Sequence, residues 1–147
     1  AIIVYDTMWG STTLMANAIA DGIREAGIKI KVLPMSASHR SDVATELIYS
    51  GAVIYGSPTI NNNIFPTMAD ITSYLKGLKP KNKIGFAFGS YGWSGESIKI
   101  LSETLNSTGI ETINDGISVK YVPDNDFLEK CRQAGIEVAE KLCQKCE

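Results

Sequence analysis

The sequence predicts an α/β domain: a three-layer, doubly wound sandwich with a five-stranded parallel sheet between two layers of helices. Three observations lead there. Short apolar runs rich in β-branched and aromatic residues alternate strictly with segments of helical periodicity, five times along the chain. The runs at 52–56 and 84–89 have no polar break, which marks strands buried on both faces. A length of 147 residues, 44% apolar and 20% charged, suits one domain with a real core.

Ile2-Ile3-Val4-Tyr5 opens the chain as a strand and breaks into Asp6-Thr7-Met8-Trp9-Gly10-Ser11-Thr12. Helical spacing follows at Leu14, Met15, Ala18, Ile19, Gly22 and Ile23 and stops at Ala26-Gly27. Residues 28–33 alternate Ile28, Ile30 and Val32 with Lys29 and Lys31, the pattern of an edge strand with one face near solvent; Pro34 ends it. Ser41 or Asp42 opens a short helix over 43–49, broken by Ser50-Gly51. The strand at 52–56 leads into a long polar turn, 57–65. Pro66 then starts a helix at its first position, running to Leu75 or Lys76. A loop over 77–83 precedes the strand at 84–89, which ends in a glycine- and aromatic-rich loop, 90–95. A helix over 96–106 stops at Thr108-Gly109. The last strand comes in two pieces, 110–113 and 117–122, around Asn114-Asp115-Gly116. Pro123-Asp124 caps a final helix over about 126–143. No repeat, low-complexity tract or interdomain linker interrupts this order.

Fourteen basic against 16 acidic residues give a net charge of −2, and with no basic cluster this argues against a nucleic-acid partner. No apolar run approaches the roughly 18 residues of a membrane span, and the opening run is short and lacks the positive flank of a signal peptide. No membrane partner is expected. Cys131, Cys143 and Cys146 are an odd set that fits a reducing, cytoplasmic compartment. Cys143-x-x-Cys146 has no second pair and no neighbouring His, so it reads as two free thiols near a helix end rather than a metal or redox site. His39 reads as a surface loop residue.

Three loops stand out: 7–12, 57–65 and 90–95. Each follows an apolar strand, so all three emerge at the carboxyl edge of the sheet, where doubly wound folds bind ligands. The first precedes a helix N-terminus, which leaves N–H groups unpaired and carries partial positive charge. Thr7, Ser11 and Thr12 add hydroxyl donors, and Gly10 allows close approach to the backbone. The loop suits an anion, most simply a phosphate held by neutral donors, since it contains no Lys or Arg. It fits neither the Gly-Lys-Ser/Thr phosphate loop nor the Gly-x-Gly-x-x-Gly pattern. The alternative is that Ser11 or Thr12 merely caps the helix. The other two loops supply Ile60, Phe65, Tyr91 and Trp93 beside many backbone and amide groups. A planar, partly polar ring joined to a phosphate fits that set, and flavin mononucleotide (FMN) has those parts. The alternative for Tyr91 and Trp93 is a cover over the sheet end, which Gly92 and Gly95 weaken. Trp9 either touches the cofactor, shields the phosphate or sits at an interface.

These residues carry a resemblance. Thr7-Met8-Trp9-Gly10-Ser11-Thr12, Gly56-Ser57-Pro58-Thr59-Ile60-Asn61-Asn62, Phe65-Pro66-Thr67 and above all Phe88-Gly89-Ser90-Tyr91-Gly92-Trp93-Ser94-Gly95-Glu96 are similar to the FMN-binding, flavodoxin-like half of the flavodiiron proteins, or A-type flavoproteins. Trp9 stands where many flavodoxins carry the second Thr of Thr-x-Thr-Gly-x-Thr. The resemblance implies a flavodoxin-like sheet of order 2-1-3-4-5. It implies that Thr7, Met8, Trp9, Gly10, Ser11 and Thr12 hold the FMN phosphate. Pro58, Thr59, Ile60, Asn61 and Asn62 then cover one side of the ring. Ser90, Tyr91, Gly92, Trp93, Ser94 and Gly95 wrap the other, with Trp93 or Tyr91 against it. No residue need act as acid, base or nucleophile, because the ring does the chemistry.

Flavodiiron proteins place a metallo-β-lactamase-like domain, holding two irons, before this one. His39 alone cannot supply such a site. The chain opens on a strand without an initiator Met, so residues 1–147 are expected to be one FMN domain excised from a longer flavodiiron protein. The implied partners are that di-iron domain, reached across a head-to-tail dimer and reducing O2 or NO, and a reduced donor: rubredoxin, a deazaflavin or a nicotinamide carrier. Neutral Asn61-Asn62-Asn63 near the ring implies a potential less negative than that of a strongly acidic flavodoxin. The alternatives are a free-standing flavodoxin shuttle, which the mild charge counts against, and a quinone reductase of the same fold. A phospho-receiver domain needs a clustered acidic site, and here the third strand ends in Gly56-Ser57 while Asp6 stands alone.

Overall fold

In a computed structural model of the chain, which describes residues 1–146 and the side chains through residue 145, β1 (Ile2–Tyr5) lies between β2 (Lys31–Pro34) and β3 (Ala52–Gly56), parallel to both. Beyond β3 come β4 (Lys83–Tyr91) and β5 (Ile110–Thr112), so the order is β2-β1-β3-β4-β5, as the sequence implied. A sixth strand, β6 (Ile117–Lys120), also pairs with β4.

β5 and β6 are the two pieces expected of the last strand. β5 pairs with the start of β4 at 83–85 and β6 with its end, Phe88 opposite Ile117 through Tyr91 opposite Lys120. Gly116 turns the chain between them at φ +95°, its N–H donating to Asn114 Oδ1 at 2.8 Å. This pairing corrects one expectation. Ser90 and Tyr91 lie on β4 rather than in a loop, because β6 gives them a ladder partner. A second correction is at β2, which starts at Lys31 rather than Ile28. β1 begins at Ile2, opposite Lys31, so residues 28–30 have no strand to pair with. Pro34 closes β2 at the sheet edge, where its missing N–H costs no ladder bond.

Side chains alternate along the central strands and divide the core in two. Ile3, Ile54, Phe86 and Phe88 pack against Met15, Ile19 and Ile23 of α1 (Ser11–Glu25) and Val138 of α5 (Asn125–Cys146). Ile2, Val4, Val53 and Tyr55 face α2 (Arg40–Tyr49), α3 (Pro66–Gly77) and α4 (Glu96–Thr108) through Leu47, Met68, Ile71, Leu101 and Leu105. α1 and α5 touch backbone to backbone. A Cβ on Gly22 would lie 2.0 Å from the Arg132 carbonyl oxygen, and one on Gly135 2.1 Å from that of Ile19. This close packing fixes the axis of α1, and so the place where its N-terminus points.

α2 starts at Arg40, three residues before the expected 43, because His39 rather than Ser41 or Asp42 caps it: the ring Nδ1 accepts from the Ser41 N–H at 3.2 Å. Asp124 caps α5 as expected, accepting from the Phe127 N–H at 2.8 Å, and the helix runs past 143. Cys131 is buried, which pushes its thiol up to about 11, and Cys143 is an exposed free thiol. The side chain of Cys146 lies outside the described residues. No helix among the described residues is long and apolar enough to cross a membrane, and no group of three metal-ligating side chains occurs among them.

Candidate functional site

Gly10 sits at the N-cap of α1 in the left-handed region, φ +93°, where glycine alone is unstrained. It offers the helix no side-chain cap. Its own N–H donates to Thr7 Oγ1 at 2.9 Å, which folds residues 7–10 into a tight loop. The first bond of the helical ladder is Leu14 N–H to Gly10 C=O, 3.1 Å, leaving the Ser11, Thr12 and Thr13 amides outside it. Neither Ser11 nor Thr12 caps the helix. Thr12 is fully buried and its hydroxyl lies 3.3 Å from that of Ser90. The Asp6 carboxylate steadies the loop from below, accepting from the Thr7 N–H at 2.8 Å and from the Thr67 hydroxyl of α3.

Small hydroxyls knit the ends of β3 and β4 into one floor. Ser57, Ser90 and Ser97 are all buried. The Thr59 N–H donates to the Ser90 carbonyl at 2.9 Å. The Thr59 hydroxyl donates to Ser97 Oγ at 2.9 Å and accepts from the Ser97 N–H at 3.2 Å, so it caps α4 from a different loop. Ser97 Oγ in turn donates to the Ser57 carbonyl at 3.2 Å, and Ser57 Oγ accepts from the Phe65 N–H at 2.8 Å. Residues 60–63 form a tight turn, Ile60 and Asn63 exchanging N–H and C=O bonds of 2.9 Å, with Asn61 at φ +50° and Asn62 at φ +60°. The Ser94 hydroxyl donates to Asn62 Oδ1 at 3.1 Å. The three loops singled out in the sequence therefore close on one another through three separate hydrogen-bonded contacts.

Between them lies a groove of about 340 Å³, inside the range of about 300–1,000 Å³ common for small-molecule sites. Met8, Trp9 and Ser11 line one side of it, and Pro58, Thr59, Ser90, Tyr91 and Gly92 the rest. Thr7, Gly10 and Thr12 build the loop at one end of it without lining it, and Ile60, Asn61, Asn62, Ser94 and Gly95 form the turn pair beside it. Trp93 does not line the groove. It is 95% exposed and Trp9 is 89% exposed, so neither covers the sheet end. Tyr91 is half-buried against Gly95, where a Cβ would meet its ring at 3.4 Å.

Sequence reasoning missed Tyr121 and Val122, which line the groove directly after β6. The signal was present: the carboxyl end of every strand faces this edge, and 117–122 was already read as a strand. A larger hollow of about 660 Å³ opens at the opposite, amino edge, between the 27–31 segment and the end of α2. The donor set of the smaller groove fits FMN: amides and hydroxyls at one end, aromatic and aliphatic walls at the other, and no cation in the phosphate loop.

Residues 3–135 match the flavodoxin family model. The chain is 45% identical over 143 residues to a nitric oxide reductase of Moorella thermoacetica, covering 97% of this chain and 36% of that protein. It superposes on rubredoxin oxygen:oxidoreductase from Desulfovibrio gigas with a TM-score of 0.96 and 43% identity, over 99% of this chain and 36% of that one. It also superposes on a flavodoxin from the domain Archaea with a TM-score of 0.88 and 30% identity, over 97% of both chains. The chain thus spans about a third of the length of the curated relatives it matches.

Proposed function

The chain belongs to the flavodoxin family, and on that premise we propose that its carboxyl-edge groove holds FMN as the electron-transfer domain of a longer flavodiiron protein. The observation that carries this is the closure of three strand ends around one groove, through the contacts Thr12 to Ser90, Thr59 N–H to the Ser90 carbonyl, and Ser94 to Asn62. Bound FMN supplies one- and two-electron redox chemistry. The chain's own residues bind, orient and exclude water. The Ser11, Thr12 and Thr13 amides would hold the phosphate, with the Ser11 hydroxyl as a further donor. Pro58 and Thr59 would hold one side of the ring, and Tyr91 and Gly92 the other. No side chain needs to exchange a proton with a substrate.

The further length of the relatives named nitric oxide reductase and rubredoxin-oxygen oxidoreductase, with the likeness to the flavodiiron protein from Giardia intestinalis, supports a di-iron domain on the same polypeptide as the electron acceptor. The rubredoxin-oxygen oxidoreductase among them supports rubredoxin as a donor. A head-to-tail dimer would set this groove against the partner's irons. The exposed Trp9 and Trp93 beside the groove suit such a contact. The free thiols of Cys131 and Cys143 suit a reducing, cytoplasmic setting. A free-standing shuttle is the second reading, favoured by the match to an archaeal flavodoxin over nearly the whole of both chains.

The visible spectrum of the purified protein tests the cofactor. Oxidised-flavin bands, with FMN released on denaturation, are expected. A colourless protein that takes up no added FMN sinks both readings. The parent coding sequence separates them: an upstream metal-ligand segment of the form His-x-Glu-x-Asp-His is expected, and a start codon directly before Ala1 leaves only the shuttle.

A further inference from the structure

Among the described residues, five non-glycines adopt positive φ: Asn61, Asn62, Lys79, Asn82 and Tyr121. Asparagine tolerates this region through its short polar side chain, and Lys79 sits in an open turn after α3. Tyr121 is different. A bulky aromatic at φ +64° carries a backbone cost that surrounding structure must sustain, and such strain concentrates where geometry serves a ligand. What sustains it here is one more rung of the sheet. Tyr91 pairs with Lys120, and the Tyr121 N–H then donates to the Tyr91 carbonyl at 2.7 Å, one of the shorter backbone bonds in the chain.

The consequence is directional. An extended residue at 121 would carry the chain onward along β6. The left-handed residue instead turns the ring back over Gly92, where a Cβ would lie 3.5 Å from the ring edge. Tyr121 is 62% exposed, so burial does not account for the position of its ring, and the residue lines the groove beside Tyr91 and Gly92. The Lys120 ammonium lies over the ring, 5.4 Å from its centroid, and helps hold it.

We propose that Tyr121 is a flavin-positioning residue: the strained backbone is kept so that its ring walls the groove and packs against the bound isoalloxazine. This rests on the FMN reading given above. An exposed ring gains little from packing on Gly92 alone, whereas an aromatic pair gains attraction beyond area burial.

The test compares apo-protein Tm and FMN dissociation constant, by quenching of flavin fluorescence, for the wild type, Tyr121→Phe, Tyr121→Gly and Tyr121→Asn. Glycine and asparagine both accept φ +64°, so the fold should survive in at least one of them. Expected is an unchanged or higher apo Tm for Tyr121→Gly or Tyr121→Asn, with FMN affinity lower by about tenfold, and affinity within about twofold of wild type for Tyr121→Phe. Affinity unchanged in either ring-less variant overturns the proposal. So does a lower apo Tm in both with affinity unchanged, which makes Tyr121 a turn residue only. A wild type that binds no FMN defeats the functional reading instead, so the two failures are distinguishable.

Discussion

At the amino edge of the sheet a hollow of about 660 Å³ opens beside Lys29, Lys31 and Ser50, and at the carboxyl edge a groove of about 340 Å³ opens beside Ser11, Ser90 and Tyr121. The larger hollow is the poorer site, and the direction of the chain explains why. In a parallel α/β sheet the helices run antiparallel to the strands, so helix C-termini gather at the amino edge and N-termini at the carboxyl edge. Two cations at the amino edge are already engaged by the protein. Lys31 Nζ lies 2.8 Å from the Glu46 carboxylate, and Lys83 Nζ donates to the Ser50 carbonyl at the end of α2. At the carboxyl edge the exposed groups are helix-start amides and hydroxyls, which are donors awaiting an acceptor. Polarity, rather than volume, separates the two.

The strongest way to break this comparison is to reverse the polarity of the groove. A Cβ at Gly10 would meet nothing within 4 Å but would be strained at φ +93°, so Gly10→Asp should lower Tm modestly and still leave a folded protein. Its carboxylate would face the phosphate at the helix start. FMN affinity should fall by about a hundredfold, read by fluorescence titration. Unchanged affinity would put the phosphate elsewhere and erase the distinction between the edges.

A smaller effect is expected from the hydroxyl scaffold. Thr59→Val keeps the volume near the groove but removes the cap on α4 and the partner of the Ser97 hydroxyl. The lost cap should cost about 1 kcal/mol, or about 3 °C in Tm for a chain of this size. FMN binding should weaken by less than in Gly10→Asp. A full loss of binding with Tm unchanged would mean that Thr59 contacts the cofactor directly and is not chiefly a scaffold residue.

Much of this organisation was legible in the sequence because it depends on local pattern. The strand order followed from five alternating units with the right resemblance, and the three loops followed from what ended each apolar run. The misreadings share a cause. Ser90 and Tyr91 look like loop residues until β6 is known to pair with them, and that pairing is a contact across about 30 positions. Residues 28–30 alternate like a strand, but the length of β1 decides where β2 begins. His39 gave no sign of capping α2, since its ring does so by a local geometry that Ser or Asp usually provides. Tyr121 was overlooked for a related reason: its backbone reversal is imposed by a bond to Tyr91, and no composition rule assigns a tyrosine to the left-handed region.

The amino edge supplies the smallest and most discriminating test. Burial lowers the pKa of Lys83 from its ordinary 10.5. Below its folded-state pKa the amine is charged in both states, and the folded protein bears a constant desolvation cost. As pH rises through that value toward 10.5, the unfolded chain binds more protons than the folded one, so stability rises with pH over that window. Lys83→Met removes the titration and also the bond to the Ser50 carbonyl, which is a pH-independent offset. Wild type should therefore gain on the variant in urea midpoint across the alkaline window, with no gain at neutral pH. FMN affinity should be the same in both proteins throughout. A change in FMN affinity on Lys83→Met would show that the two edges are coupled through β4, and that the polarity argument treats them as more separate than they are.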